Sequence, residues 1–277
     1  MNAWDAFAPM REAKGEWIRN VASPVTDWLI DALAVQPGET VVELAAGAGD
    51  AGLAIIERAG PGVRLISSDV SPATIDVARR NAIERGLDSN IQFQVLDAEH
   101  LDIASASVDV VICRWGYMLM DDPAAAFRET GRVLRAGGRL AFSVWGDRAR
   151  NRWTTIDAEV CGHLGYVPPR EATGPGGMFS LANPRRLRRM VHESGLVVRR
   201  IESVPVSWPY ASVEDYIAIE IDRPGPRGDF FRGLPDQEQE RATRLAAELL
   251  EPFRSDSGYL VPGETLNVLA VIAQDRR

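Results

Sequence analysis

The chain has 277 residues, enough for one large domain with a full hydrophobic core or one domain with a sizeable appendage. Its formal net charge of -8 argues against nucleic acid as a partner, because phosphate binding needs a basic face. Two cysteines, Cys113 and Cys161, are too few for a disulfide framework, lack metal-ligand spacing and fit a reducing cytoplasm.

No apolar run is long enough to span a membrane, and the N-terminal stretch carries Asp5 and no apolar h-region. Neither stable membrane insertion nor a signal peptide is expected. Residues 2–22 hold Trp4, Phe7, Met10 and Trp17, and Trp17, Ile18 and Val21 have helical spacing. Ser23-Pro24 then reads as an N-cap with proline at the first helical position, predicting a helix over 24–33 with Val25, Trp28, Leu29 and Ala32 on one face. Pro37-Gly38 is a turn into the first strand.

Strands are predicted at 41–44, 64–68, 91–96, 108–113 and 140–144. They are near-continuous apolar runs, as suits strands covered on both faces. Helices are predicted between them at 50–59, 72–85 and 122–135, with Ser71-Pro72 and Asp121-Asp122-Pro123 as start signals. Beyond Trp145, residues 146–180 read as loop, with Pro168-Pro169 and Gly174-Pro175-Gly176-Gly177. A helix over 184–194, closed by Gly195, leads into a strand over 196–207. Residues 208–257 form a second insertion, with helices at 213–221 and 235–253 on either side of the break Arg223-Pro224-Gly225-Pro226, before a last strand at 265–273.

The first strand runs into Glu43 and then Leu44-Ala45-Ala46-Gly47-Ala48-Gly49-Asp50-Ala51-Gly52. Gly47, Gly49 and Gly52 stand in G-x-G-x-x-G spacing before an apolar helical pattern. Glycine suits a sharp strand-to-helix turn that a ligand approaches closely, and the helix start offers free N–H groups. Alone, this pattern is also that of an ordinary βα turn. Two further strands end in acids, Asp69 and Asp97-Ala98-Glu99, on the sheet edge where open α/β sheets bind ligands.

Together these segments resemble class I S-adenosylmethionine (SAM)-dependent methyltransferases, in the style of the ubiquinone/menaquinone-biosynthesis family. Val41 to Gly49 resembles the family's first motif, Leu65 to Asp69 with Ser71-Pro72 its second, Leu96 to Glu99 its third, and Val133 to Leu140 its later strand signature. The match spans about residues 38–147. Ala45 departs from it, standing where the first glycine is usual.

The resemblance implies a Rossmann-like, doubly wound, mixed seven-stranded α/β sheet with helical and loop insertions forming a substrate lid. On that reading residues 1–36 are an N-terminal helical lid segment and 37–147 the SAM-binding core. Residues 148–277 complete the core, with lid insertions at about 146–180 and 208–257. A permanently packed N-terminal helix is the alternative for the first segment.

Among candidate residues, Asp69 suits two hydrogen bonds from vicinal ribose hydroxyls. Asp97 and the Ala98 backbone suit the adenine side. Glu43 suits a cationic sulfonium cofactor better than a dinucleotide pyrophosphate. Ala45, Gly47, Gly49, Val70 and Arg114 complete the expected cofactor set. The segment Cys113 to Tyr117 is implied to lie beside the transferable methyl, so Trp115, Tyr117, Trp145 and Trp153 are the candidate acceptor pocket. No general base stands out: His163 is the histidine nearest a substrate insertion, and Tyr117 is the other candidate.

The expected protein is therefore a cytoplasmic methyltransferase using SAM, releasing S-adenosyl-L-homocysteine (SAH) and needing no metal. Its acceptor is expected to be a small, largely apolar molecule of polyketide, quinone or terpenoid type. The rivals are a nicotinamide-dependent oxidoreductase using the G-x-G-x-x-G turn and a SAM-binding domain without catalysis. Oligomeric state and the methylated atom stay open.

Overall fold

A computed structural model describes residues 3–60, 62–168, 173–174 and 176–273. Pro169 and Pro175 of the predicted loops, and residue 2 of the N-terminal stretch, lie outside the described residues.

A 3-10 turn, Ala3–Phe7, leads into α1 (Ala8–Ala13) and α2 (Gly15–Leu33). The alternating core follows: β1 (Thr40–Glu43), α3 (Asp50–Ala59), β2 (Arg64–Asp69), α4 (Pro72–Glu84), β3 (Ile91–Val95), β4 (Val108–Arg114), α5 (Pro123–Val133) and β5 (Leu134–Trp145). Then come α6 (Arg152–His163), α7 (Pro184–Glu193), β6 (Leu196–Tyr210), α8 (Val213–Asp222), α9 (Pro226–Arg232), α10 (Asp236–Leu250), β7 (Arg254–Ser255) and β8 (Gly258–Ile272).

The sheet runs β3-β2-β1-β4-β5-β8-β6, with the short β7 paired to β8. β1 to β5 are parallel, whereas β8 is antiparallel to both β5 and β6. This is the expected mixed seven-stranded sheet with one added two-residue strand. Val41, Val42, Val110, Val111 and Ile112 are fully buried, because helices cover both faces of the central strands. Strand order reverses between β1 and β4, and the crevice beyond the carboxyl ends of those strands is where such a sheet takes a ligand.

Most start signals act as expected. Ser71 Oγ accepts from Thr74 N, Asp122 Oδ1 from Ala125 N, and Asn183 Oδ1 from Arg185 and Arg186 N. Ser23-Pro24 does not act so. α2 begins at Gly15 and runs straight through Pro24. Proline removes the N–H that would donate to Asn20 O, and Ser23 Oγ donates to that carbonyl instead, at 3.2 Å. Two helices lie in stretches read as loop or break, α6 and α9, and β6 and β8 extend further than predicted. Among the described residues no helix is long and apolar enough to cross a membrane.

Candidate functional site

The carboxyl ends of β1, β2 and β4 open into a cavity of about 1500 Å³. The first wall is the turn after β1. Gly47 has φ +61, Gly49 φ +80 and Ala45 φ +50, so three residues of this turn occupy the left-handed region. Two carboxylates hold the turn. Asp69 Oδ2 accepts from Gly47 N at 2.9 Å and Oδ1 from Ser71 N at 3.0 Å. Glu43 Oε1 accepts from Gly52 N at 2.8 Å and Oε2 from Ser67 Oγ at 2.8 Å. A Cβ at position 52 would lie 2.4 Å from Glu43 Oε2, so the last glycine of the motif makes room for this carboxylate. Burial pushes the Glu43 carboxyl up to about 7, against the opposing pull of the Ser67 and Gly52 hydrogen bonds.

Ala45 is accommodated from across the turn. A Cβ on Gly116 would lie 2.7 Å from Ala45 Cβ and 2.5 Å from Cys113 Sγ, so the glycine missing at 45 is matched by one at 116. Ala45→Gly is expected to change unfolding free energy by less than ~1 kcal/mol, since relief of left-handed strain is offset by the entropy of a freer chain. Gly116→Ala is expected to cost about 1–3 kcal/mol as an overpacked site. Urea denaturation reads both, and a Gly116→Ala protein as stable as the parent would contradict the pairing.

Of the expected cofactor residues, Glu43, Ala45, Gly47, Asp69, Val70, Asp97, Ala98 and Arg114 line this one cavity. Asp97 is half exposed, its Oδ1 accepting from Glu99 N and its Oδ2 3.4 Å from His100 Nδ1. Arg114 donates to Thr26 Oγ1 and reaches Asp50 at 3.5 Å. Gly49, expected in the cofactor set, is placed differently. It is absent from the cavity wall and packs the turn against α4, where a Cβ would sit 3.1 Å from Ala78 Cβ.

The second wall is aromatic and sulfur-rich. Trp115 and Trp145 stack with ring centroids 4.6 Å apart, and both line the cavity with Met118, Met120, Met178 and Phe179. Trp115 has φ +60, a conformation a bulky residue adopts only where its surroundings dictate it. Trp153, expected in the pocket, lies behind Trp145 at 4.9 Å and spends its Nε1–H on Asn151 Oδ1.

The two candidate catalytic groups, Tyr117 and His163, both lie off the cavity wall. Tyr117 is fully buried in the core, stacked 4.1 Å from Phe127, with its hydroxyl 2.6 Å from Thr130 Oγ1; burial raises its pKa further above that of an ordinary phenol. His163 is exposed at the end of α6, bonded through Nδ1 to Glu159 O, and does not line the cavity.

Further cavity walls, beyond the individual residues named above, come from the N-terminal segment and the late insertion expected as lids. Trp4, Phe7, Met10 and Ile18 line the cavity, and Arg11 reaches over the glycine turn to 3.9 Å from Asp69. Asp5 Oδ1 accepts from Ser71 Oγ and Glu12 pairs with Arg80, tying this segment to α4. Arg223 and Arg227 line the cavity from the R-P-G-P-R break. The aromatic content of residues 2–22 is the only sequence signal for these individual residues.

The residues present fit a sulfonium nucleoside and not a dinucleotide. The backbone N–H groups of Gly47 and Gly52, which a pyrophosphate would need, are already taken by Asp69 and Glu43. The carboxylates that take them would repel phosphate. Among the described residues no group of three or more His, Cys, Asp or Glu side chains is placed to hold a metal. The volume exceeds the ~300–1,000 Å³ of an ordinary ligand pocket, leaving room for two molecules.

A methyltransferase-domain family model matches residues 36–164. A demethylmenaquinone methyltransferase of Deinococcus radiodurans is 30% identical over 177 residues, covering 61% of this chain and 72% of that protein. An arsenite methyltransferase of Halobacterium salinarum is 37% identical over 110 residues, 40% of this chain and 28% of that protein. A ubiquinone/menaquinone biosynthesis C-methyltransferase of Hahella chejuensis is 33% identical over 111 residues, 40% and 45%. The chain thus spans less than half the length of these last two relatives. Among solved structures, geranyl diphosphate methyltransferase in complex with GPP and sinefungin aligns at a TM-score of 0.54 and 18% identity, covering 91% of this chain and 77% of that one. The [4+2]-cyclase SpnF aligns at 0.58 and 16%, covering 95% and 94%. At such identities the likeness is one of fold, and this fold carries more than one chemistry.

Proposed function

We propose that this chain, which belongs to the class I SAM-dependent methyltransferases, holds SAM against the glycine turn and transfers its methyl group to a small, largely apolar acceptor lying against Trp115 and Trp145. The observation that carries this reading is the single cavity that joins an acid-held glycine turn to a stacked indole pair. When bound, SAM supplies an activated methyl carbon, whose bond to sulfur breaks as its bond to the acceptor forms.

The chain's own residues bind and orient. Asp69 keeps lone pairs beyond its two backbone contacts for the ribose hydroxyls. Asp97 and Ala98 take the adenine side, and Arg11 over the turn is the counter-ion for the methionine carboxylate. Glu43 faces the ammonium. The indoles of Trp115 and Trp145 present π-faces to the cationic centre. With Tyr117 and His163 both off the cavity, positioning and exclusion of water carry the rate. Two buried cysteines, with only Cys161 on the cavity wall, argue against arsenite as acceptor and for a reducing cytoplasm.

Calorimetry tests the cofactor: SAM and SAH are expected to bind and NAD not to, and NAD binding without SAM overturns the reading. A pH series tests Glu43. Its pKa of about 7 is raised, so the folded apo protein holds this proton more tightly than the unfolded chain, and a cation at the carboxylate expels it. SAM affinity is therefore expected to rise about tenfold per pH unit below 7 and to level off above it. Glu43→Gln is expected to leave only the slope from the ligand's own ammonium; an unchanged profile removes Glu43 from this role.

In the same reading, residues 2–22, 146–180 and 208–257 close over the cleft. The cavity contacts of Trp4, Phe7, Phe179 and Arg227, which lie in these segments, support it. Hydrogen exchange with and without SAH is expected to show protection in residues 2–22 and in at least one insertion. Protection confined to residues 40–120 would mean that they are fixed walls.

A further inference from the structure

Behind the part of the cavity walled by α6 lies a buried ionic cluster that the cofactor does not require. Asp157 of α6 and Glu220 of α8 are 1% and 0% exposed, yet both are carboxylates. Every oxygen is bonded. Glu220 accepts from Arg223 Nη2 at 2.6 Å and Nε at 3.0 Å, a fork-on-fork pair. Asp157 accepts from Arg227 Nη1 at 2.6 Å and from the Tyr216 hydroxyl at 2.6 Å. Cross-contacts of 3.8 Å from Arg223 to Asp157 and 3.9 Å from Arg227 to Glu220 close the square.

The two sides of this square are not equivalent. The acids are sealed, whereas the arginine side chains keep 20% and 25% of their surface and line the cavity. A guanidinium has five N–H donors. Arg223 uses Nε and one edge of Nη2, and Arg227 uses Nη1. Their remaining donors have no partner among the described residues. The spacing is locked from behind, since a Cβ on Gly228 would fall 1.7 Å from Arg223 O, so only glycine lets α9 close on that carbonyl.

Burying two carboxylates carries a heavy desolvation cost, and an apolar set of similar volume fills such a site at least as stably. What the carboxylates supply is two guanidinium groups held in a fixed pose on side chains that line the cavity. The ordering entropy is then lost on folding and not on binding. Cys161 and Tyr166 of the same cavity wall lie near Arg227.

We propose that Arg223 and Arg227 form an anion subsite in the acceptor pocket, and that the acceptor is an apolar molecule bearing a carboxylate or phosphate group. This deepens the methyltransferase reading and rests on it. The cofactor's own carboxylate is assigned to Arg11, so the probes are applied to SAH-loaded protein. The probes are 2-naphthoate, 2-naphthyl phosphate and neutral 2-naphthamide, titrated calorimetrically. At least one anion is expected to bind about tenfold or more tightly than the amide, as for a charge-assisted bidentate contact. The better of the two anions identifies the group recognised.

Arg227→Gln is expected to bring the anion-to-amide ratio near one while SAH affinity stays within about twofold, the change in ratio being the lost charge-assisted contact. Arg227→Lys is expected to keep part of the preference. Should the Gln variant not fold, with Asp157 left buried and unpaired, the charge-balanced double variant D157N/R227M is expected to fold and to lose the preference. Equal affinity for anion and amide in the parent protein, or a preference that survives loss of Arg227, overturns the subsite and leaves the methyltransferase reading standing. Failure of the parent protein to bind SAH overturns both.

Discussion

Gly47→Val is expected to leave no measurable SAM binding at concentrations ~100-fold above the parent Kd, a loss of more than about 2.7 kcal/mol. Gly47 sits at φ +61, where a β-branched side chain is a genuine outlier, and the strain alone is about 1–3 kcal/mol. Its N–H is also the donor that Asp69 Oδ2 receives at 2.9 Å, so a relaxed turn breaks the link between β1 and β2 at the site. A Cβ there would lie 2.4 Å from Arg11 Nη1. That contact is with the far end of a flexible side chain, so it displaces Arg11 from over the turn without unfolding the core. The expected result is a protein that folds and does not bind, read by thermal denaturation beside calorimetry. A folded Gly47→Val protein that still binds SAM would show that the turn does not form the cofactor site.

The parts of this site that were legible in the sequence are those built from residues close together in the chain. The turn from Glu43 to Gly52, the acid ending β2 and the caps at Ser71 and Asp122 are each set within one strand-turn-helix unit, and each lies where its spacing predicts. The failures have physical causes. Ser23-Pro24 has the chemistry of an N-cap, but the same serine hydroxyl bonds back to Asn20 O and carries α2 through. The α6 stretch reads as loop because its inward face mixes Trp153, Ile156 and Val160 with the buried polar Thr154 and Asp157, which blurs the apolar period. Arg223-Pro224-Gly225-Pro226 reads as a break between helices, and only the carboxylates of two other helical positions make Arg223 and Arg227 a cavity wall. Tyr117 and Trp115 are two residues apart after β4, yet one enters the core and the other the cavity. The positive φ at Trp115 that turns the chain there has no composition signal. Arg11 meets Asp69 from 58 positions away, a contact that tertiary packing alone creates.

Asp69→Ala is the second large effect, and it acts on stability and on binding at once. The sequence alone suggests a strand-end acid that serves the ribose and whose loss leaves folding little affected. In the structure Asp69 is 6% exposed and both oxygens are used, Oδ2 by Gly47 N and Oδ1 by Ser71 N. Alanine leaves two buried N–H groups without acceptors, at about 1–3 kcal/mol each, so the expected loss is about 2–6 kcal/mol of unfolding free energy. For a chain of this size that is a fall in Tm of about 3–10 °C. The SAM effect is separable, because ribose recognition uses lone pairs the backbone contacts leave open. Removing charge-assisted bonds there is expected to weaken SAM by about 1.5–3 kcal/mol, roughly 10- to 150-fold. Asp69→Asn distinguishes the two losses. It keeps one acceptor for Ser71 N or Gly47 N and turns an N–H₂ toward the other, so it is expected to recover part of the stability while SAM affinity stays low. A drop in Tm with unchanged SAM affinity in both variants would leave Asp69 as the strut of the glycine turn and take the ribose away from it.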